Sequence, residues 1–128
     1  MVYNQLLEAA TLFIDIMDIH SEQDGKVTII ELFGELDSVT APEAQDHVLS
    51  LVKQDSRILL DMSQVSYMSS AGLRILLMLY REIRDKVGKI VVAGLNDEVR
   101  DVMAITGFLD FFYTVDTREE GMQVLLAS

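Results

Sequence analysis

The segment Tyr67-Met68-Ser69-Ser70-Ala71-Gly72-Leu73-Arg74 carries more potential chemistry than any other part of the chain. Two adjacent hydroxyls stand where a loop turns into a run with helical apolar spacing. A serine in that place has two uses. It can cap the helix, its oxygen accepting an amide of the first turn. It can also take a phosphate, because first-turn amides point outward with partial positive charge and donate to anions. Arg74 lies four residues after Ser70, on the same helical face, where a guanidinium pairs with a phosphate. Gly72 has no side chain, so a partner backbone or a kinase could approach closely. A phosphate adds about −1.5 to −2 charges, which changes partner binding more readily than it unfolds a domain. Caps are commoner than modification sites, and both uses stay open for Ser69 and Ser70.

Other reactive residues are sparse. The chain has no cysteine, which excludes disulfides, thiolate nucleophiles and thiolate-bound zinc. Its two histidines, His20 and His47, lie far apart and in no metal-ligand spacing. There is no G-x-S-x-G elbow and no glycine-rich phosphate loop. An enzyme is therefore not expected, nor a cofactor. The 128 residues include 10 basic and 21 acidic ones, for a net charge of −11. Nucleic acid and anionic membranes repel a chain of that sign, so a protein partner is expected instead. The N-terminus lacks a basic start and a small-residue cleavage site, and no apolar run approaches the ~20 residues of a membrane span. These features predict a cytoplasmic protein.

The elements that would position the serines follow from periodicity. Residues 3–14 carry Tyr3, Leu6, Leu7, Ala10, Phe13 and Ile14 at helical spacing, an N-terminal extension (1–15) or short helix before the main domain (16–128). Ile16 to Glu22 alternates like a half-buried strand, and Asp24-Gly25 offers a two-residue hairpin turn into the β-branched run Lys26 to Gly34. Thr40 and Glu43 match a capping box, with Pro42 in the first turn of a helix that buries Ala44, Val48, Leu51 and Val52. Arg57 to Asp61 (RILLD) predicts a central strand, followed by a loop from Met62 to Met68. The long helix runs from the serines to Val87, with Gly88 as its stop. Leu73, Leu76, Leu77, Tyr80, Ile83 and Val87 form its expected sheet-facing stripe; Ile75, Met78 and Leu79 lie on other faces, covered by neighbouring helices or open to a partner. Lys89 to Ala93 predicts another buried strand, Asn96 caps a third helix ending at Gly107, Leu109 to Val115 is a short strand or extended segment, and Thr117 to Leu126 is a last helix. The order β-β-α-β-α-β-α-(β)-α predicts a single α/β domain, a mixed sheet of four to five strands with about four helices.

Gly34-Glu35-Leu36-Asp37, the serine segment 67–73 and Met103 to Phe108 (MAITGF) together resemble the STAS domain of bacterial anti-sigma-factor antagonists. The resemblance covers roughly residues 16 to 126. It implies partner switching. An unphosphorylated antagonist binds an anti-sigma factor that is also a serine kinase, phosphorylation of the serine opening the long helix ends that binding, and a metal-dependent serine phosphatase restores it. The family pattern Asp-Ser-Ser/Thr-Gly-Leu-Gly places the acceptor at Ser70 and matches Gly72 and Leu73. Ser69 stands for the aspartate, Ala71 for the second hydroxyl residue and Arg74 for a glycine. Ser69 thus adds a second candidate acceptor. Asp37 and Ser38 match a loop that joins the binding surface, and Met68 and the exposed face of the long helix are expected to contact the kinase. By residue type alone, Asp37 equally reads as a turn or cap residue.

Two rival readings remain at this level. A receiver domain would use Asp61 as phospho-acceptor, but the hairpin occupies the place of its acidic pair, and Val92-Ala93-Gly94 lacks its lysine. A constitutive scaffold or assembly subunit would keep the fold, with Ser70 as nothing more than a cap.

Overall fold

The computed structural model describes residues 18–127, so the readings made for the first 15 residues lie outside it. Five strands and four helices follow in chain order: β1 (Asp18–Asp24), β2 (Val27–Leu36), α1 (Ala41–Ser50), β3 (Arg57–Met68), α2 (Ser70–Asp85), β4 (Lys89–Ala93), α3 (Asp97–Ile105), a 3₁₀ turn (Phe108–Phe111), β5 (Tyr113–Val115) and α4 (Arg118–Leu126). The sheet order is β1-β2-β3-β4-β5; β1 pairs antiparallel with β2 and the remaining pairs are parallel. The expected mixed sheet is therefore present. The hairpin turn is Gly25-Lys26 rather than Asp24-Gly25, because Asp24 still pairs with Val27 and Gly25 alone takes a positive φ, of 59°.

The run Ile58, Leu59 and Leu60 is wholly buried, so β3 is covered on both faces. On one face, α1, α2 and α3 pack Ala44, Val48, Leu76, Leu79, Val99 and Met103 against Ile30, Leu32, Ile58, Leu60 and Val92. On the other, α4 seats Leu125 against Val27, Ile29, Leu59, Val91 and Val115. Burying one such side chain fully is worth roughly 1.5–3 kcal/mol, so the two clusters hold the layers together.

Three expectations are corrected. The loop predicted over 62–68 is strand. Pairing with β2 skips a residue of β3 twice, between Asp61 and Gln64 and between Val65 and Tyr67. These bulges turn Met62, Val65 and Met68 inward at a spacing of three, which hides the period of two that marks a strand. The Thr40–Glu43 capping box does not form. Thr40 is buried, its hydroxyl donating to the Glu35 carbonyl at 2.8 Å and accepting from the Asp37 amide at 3.0 Å. The stripe on α2 is rotated: Ile75 and Leu79 are buried, Leu77 and Tyr80 half-buried and Val87 exposed.

The end of α2 also departs from its expected form. Val87, not Gly88, takes the left-handed conformation (φ 58°), with its N–H on the Arg84 carbonyl and the Gly88 N–H on the Ile83 carbonyl. This is the Schellman pattern, in which glycine is usual at the left-handed position. Gly88 answers a different demand: a Cβ there would lie 2.6 Å from the Ser56 carbonyl oxygen. The β-branched Val87 is left in a conformation that costs about 1–2 kcal/mol.

Candidate functional site

The serines lie at the C-terminal ends of the parallel strands. β2 and β3 finish side by side, with Leu36 opposite Met68. The Ser69 amide then donates to the Leu36 carbonyl at 2.9 Å, which ends β3 and starts α2 at one point. Ser69 is the N-cap: its side chain accepts from the Ala71 amide at 3.2 Å and its carbonyl from the Leu73 amide at 3.0 Å. Ser70 is the first helical residue, exposed and free of capping duty. Among the described residues, no group takes the amides of Ser70 and Gly72. The first turn therefore keeps two amides that no protein group takes, whereas the amide of Leu73 is committed to the helix.

Gly72 faces the interior. A Cβ there would come within 2.7 Å of the Leu36 carbonyl oxygen and 2.6 Å of Met68 Cγ. Its missing side chain lets α2 sit directly on the end of β2, rather than admitting a kinase as its type alone suggested. Met68 and Leu73 are buried as well, at 2% and 4% exposure. The expected kinase contact through Met68 is thus corrected to a packing role. Its neighbour Tyr67, half exposed, takes the outward position because the β3 bulge flips the alternation there.

The loop after β2 approaches from the other side. The Asp37 carboxylate accepts from the amides of Val39 (2.9 Å) and Thr40 (3.1 Å), and the Asp37 carbonyl from the Ala41 amide. Asp37 is thus the turn residue that opens α1. It holds Ser38 and Val39 outward, both exposed. Ser38, Ala71 and Arg74 line one cavity of about 280 Å³ with Ala41, Pro42, Gln45 and Ile75. Of the residues singled out from sequence, Ser38, Ala71 and Arg74 share this groove; Asp37 and Ser69 start the two helices that border it, Ser70 is the first residue of α2, and Met68, Gly72 and Leu73 are buried beneath. Val39 and Tyr67 are exposed apolar residues that were not named as contacts from sequence; an apolar residue in a polar turn was the available signal for Val39.

Asp61 lies on the opposite sheet face under α4. Its carboxylate accepts from the Ser63 amide at 3.0 Å and pairs with Arg118 at 2.9 Å. Burial pushes this carboxyl up, but the Ser63 bonds and the Arg118 guanidinium outweigh it and hold the group below its ordinary value. Arg118 also reaches Glu31 at 3.0 Å and Glu22 at 3.4 Å. An aspartate so engaged is a structural anchor, which removes the receiver reading. Among the described residues no His, Asp or Glu cluster has metal-site geometry, and no helix is long and apolar enough to cross a membrane.

The family model described as STAS domain matches residues 18–121, nearly all of the described chain. The chain belongs to the STAS domain family. BtrV of Bordetella bronchiseptica, which carries the name of an anti-sigma factor antagonist, is 35% identical over 89 residues, 69% of this chain and 77% of that one. The anti-sigma-B factor antagonist of Listeria monocytogenes is 31% identical over 90 residues, 70% and 79% of the two chains. Among solved structures, an anti-sigma factor antagonist from Mycobacterium paratuberculosis superposes with a TM-score of 0.78 at 23% identity, covering 86% of this chain and 94% of that one. The Bacillus cell fate determinant SpoIIAA in its phosphorylated form superposes with a TM-score of 0.63 at 21% identity, covering 84% and 99%. The STAS fold thus places the Ser69-Ser70 junction at one end of the sheet, beside the loop that Asp37 shapes.

Proposed function

We propose that this STAS protein is an anti-sigma-factor antagonist that works by partner switching. Unphosphorylated, it binds an anti-sigma factor that is also a serine kinase. Phosphorylation of Ser70 releases it, and a metal-dependent serine phosphatase resets it. The observation that carries this reading is the division of labour between the serines. Ser69 caps α2, so the exposed Ser70 hydroxyl has no structural task and stands at the helix end where a phosphate is favoured. The names of the relatives supply the class of partner. The domain acts as a binding module rather than a catalyst, through Ser38, Ala71 and Arg74 in the groove and the exposed Val39 and Tyr67 of the same two segments.

The mechanism is electrostatic. A phosphate on Ser70 meets the outward amides of the first turn and Arg74 one turn on, so the domain stays folded. It also places about two negative charges at the centre of a docking surface and opposes the partner's contacts there. The test is reconstitution with the cognate kinase and ATP, followed by intact-mass and peptide analysis. One phosphate on Ser70, absent in Ser70→Ala, is expected, with at least a tenfold (about 1.4 kcal/mol) loss of kinase affinity in Ser70→Asp. Phosphate on Ser69 alone would move the acceptor by one residue. No phosphate and unchanged binding in Ser70→Asp would leave a constitutive scaffold.

A further inference from the structure

The far end of α2 borders a second candidate site. β5 begins only opposite Val91, so Lys89 and Ile90 of β4 have partners in β3 (Arg57 and Ile58) and none in β5. Where β5 does not extend, an apolar crevice of about 630 Å³ lies between the ends of α2 and α4. Its walls include Tyr80, Ile83, Ile90, Phe111, Tyr113 and Leu125. Three of the large apolar side chains most exposed among the described residues, Val87, Phe111 and Tyr113, stand around its mouth. Val87 is held there in the left-handed conformation, and strain retained at an exposed apolar residue points to a use for it. The same mouth carries Arg84 and Lys89, both exposed, in a chain whose net charge is −11. Arg84 is tied only loosely, 3.7 Å from Asp85 and 5.9 Å from the Tyr80 ring centre.

We propose that this crevice binds a small amphipathic anion, a free medium- to long-chain carboxylate, with its alkyl chain in the slot and its head at Arg84 and Lys89. Size and charge select this occupant. The crevice volume of about 630 Å³ falls within the range of small-ligand pockets. The open backbone edge is two residues long, too short for a ladder with an added peptide strand. The lining of the crevice is mostly apolar with two exposed cations among it, as in small-ligand sites. An anionic membrane surface is disfavoured by the overall charge. At about 1.5 Å per residue, α2 places the crevice wall at Tyr80 roughly 15 Å and its rim at Arg84 roughly 21 Å from Ser70, at the other end of the helix from the partner surface.

The test is titration with dodecanoate below its micelle concentration, with dodecan-1-ol as the uncharged control, followed by calorimetry and NMR. One dodecanoate per chain, at least tenfold tighter than the alcohol, is expected, with shifts at Tyr80, Phe111 and Tyr113 and none at Ser70 or Arg74. The exposed double variant Arg84→Glu/Lys89→Glu, checked for folding by near-UV circular dichroism, is expected to lose at least tenfold for the acid and to keep the alcohol's affinity. Absence of saturable binding, equal binding of acid and alcohol, or indifference to charge reversal would overturn the proposal. So would sedimentation showing that Val87 and Tyr113 are buried between two copies of the chain.

Discussion

The two serines are chemically alike and one position apart, yet they have different energetic roles. Ser69 satisfies the Ala71 amide, so Ser69→Ala is expected to destabilise the domain by about 1 kcal/mol. Ser70 touches nothing it must hold, and Ser70→Ala should lie within about 0.5 kcal/mol of the parent. Urea denaturation of the two variants measures the difference directly, and equal losses would mean that both hydroxyls serve the cap. Residue type could not choose between them, because either serine is a good cap. The choice depends on where β3 stops, and the bond from the Ser69 amide to the Leu36 carbonyl sets that. Thr40 teaches the same lesson in reverse. Its sequence context fits a capping box, but the buried hydroxyl is already engaged by Glu35 and Asp37.

At the scale of elements, the approach of α2 to β2 decides the shape of the site. Gly72 makes that approach possible, and its immediate neighbour is the Leu36 carbonyl, which is backbone and cannot swing aside. Gly72→Ala is therefore expected to cost roughly 1–3 kcal/mol and to lift the start of α2. Thermal denaturation reads the first effect. Altered amide shifts at Ser38 and Arg74, across the groove, read the second. The helices were legible from their periodicity and, for α3, from its cap: Asn96 does accept from Val99, while the capping bond that Thr117 accepts from Glu120 was not read from sequence. The second half of β3 was not. Two bulges replace the period of two with a spacing of three, and only pairing with β2 makes those residues a strand.

At the scale of the whole fold, among the described residues, the sheet is covered by three helices on one face and by α4 on the other. The polar anchor of α4 is Arg118, which gathers Asp61, Glu31 and Glu22. Removing the cation leaves three carboxylates facing one another, so Arg118→Ala is expected to destabilise by about 1–3 kcal/mol at neutral pH. The sign of the pH dependence follows from Asp61. Its folded value is lowered, so its stabilisation is complete above the unfolded carboxylate value, near 3.9. It is lost as the pH falls through the lower folded value. The gap in melting temperature between parent and Arg118→Ala should narrow on acidification through this range; a gap independent of pH would show that Arg118 acts through packing alone.

The sequence by itself determined the α/β order, the hairpin start, the mixed sheet, the family resemblance and the position of the hydroxyl pair. These are local or periodic properties, written in spacing and residue type. Tertiary structure alone decided which serine caps and which is free, that Met68 turns inward while Tyr67 turns outward, that Gly72 serves packing, and that Asp61 is held by a residue 57 positions away. The physical reason is common to all four. Strand register, bulges and ion pairing join segments distant in the chain, and which face a side chain takes is settled only when the second segment is in place.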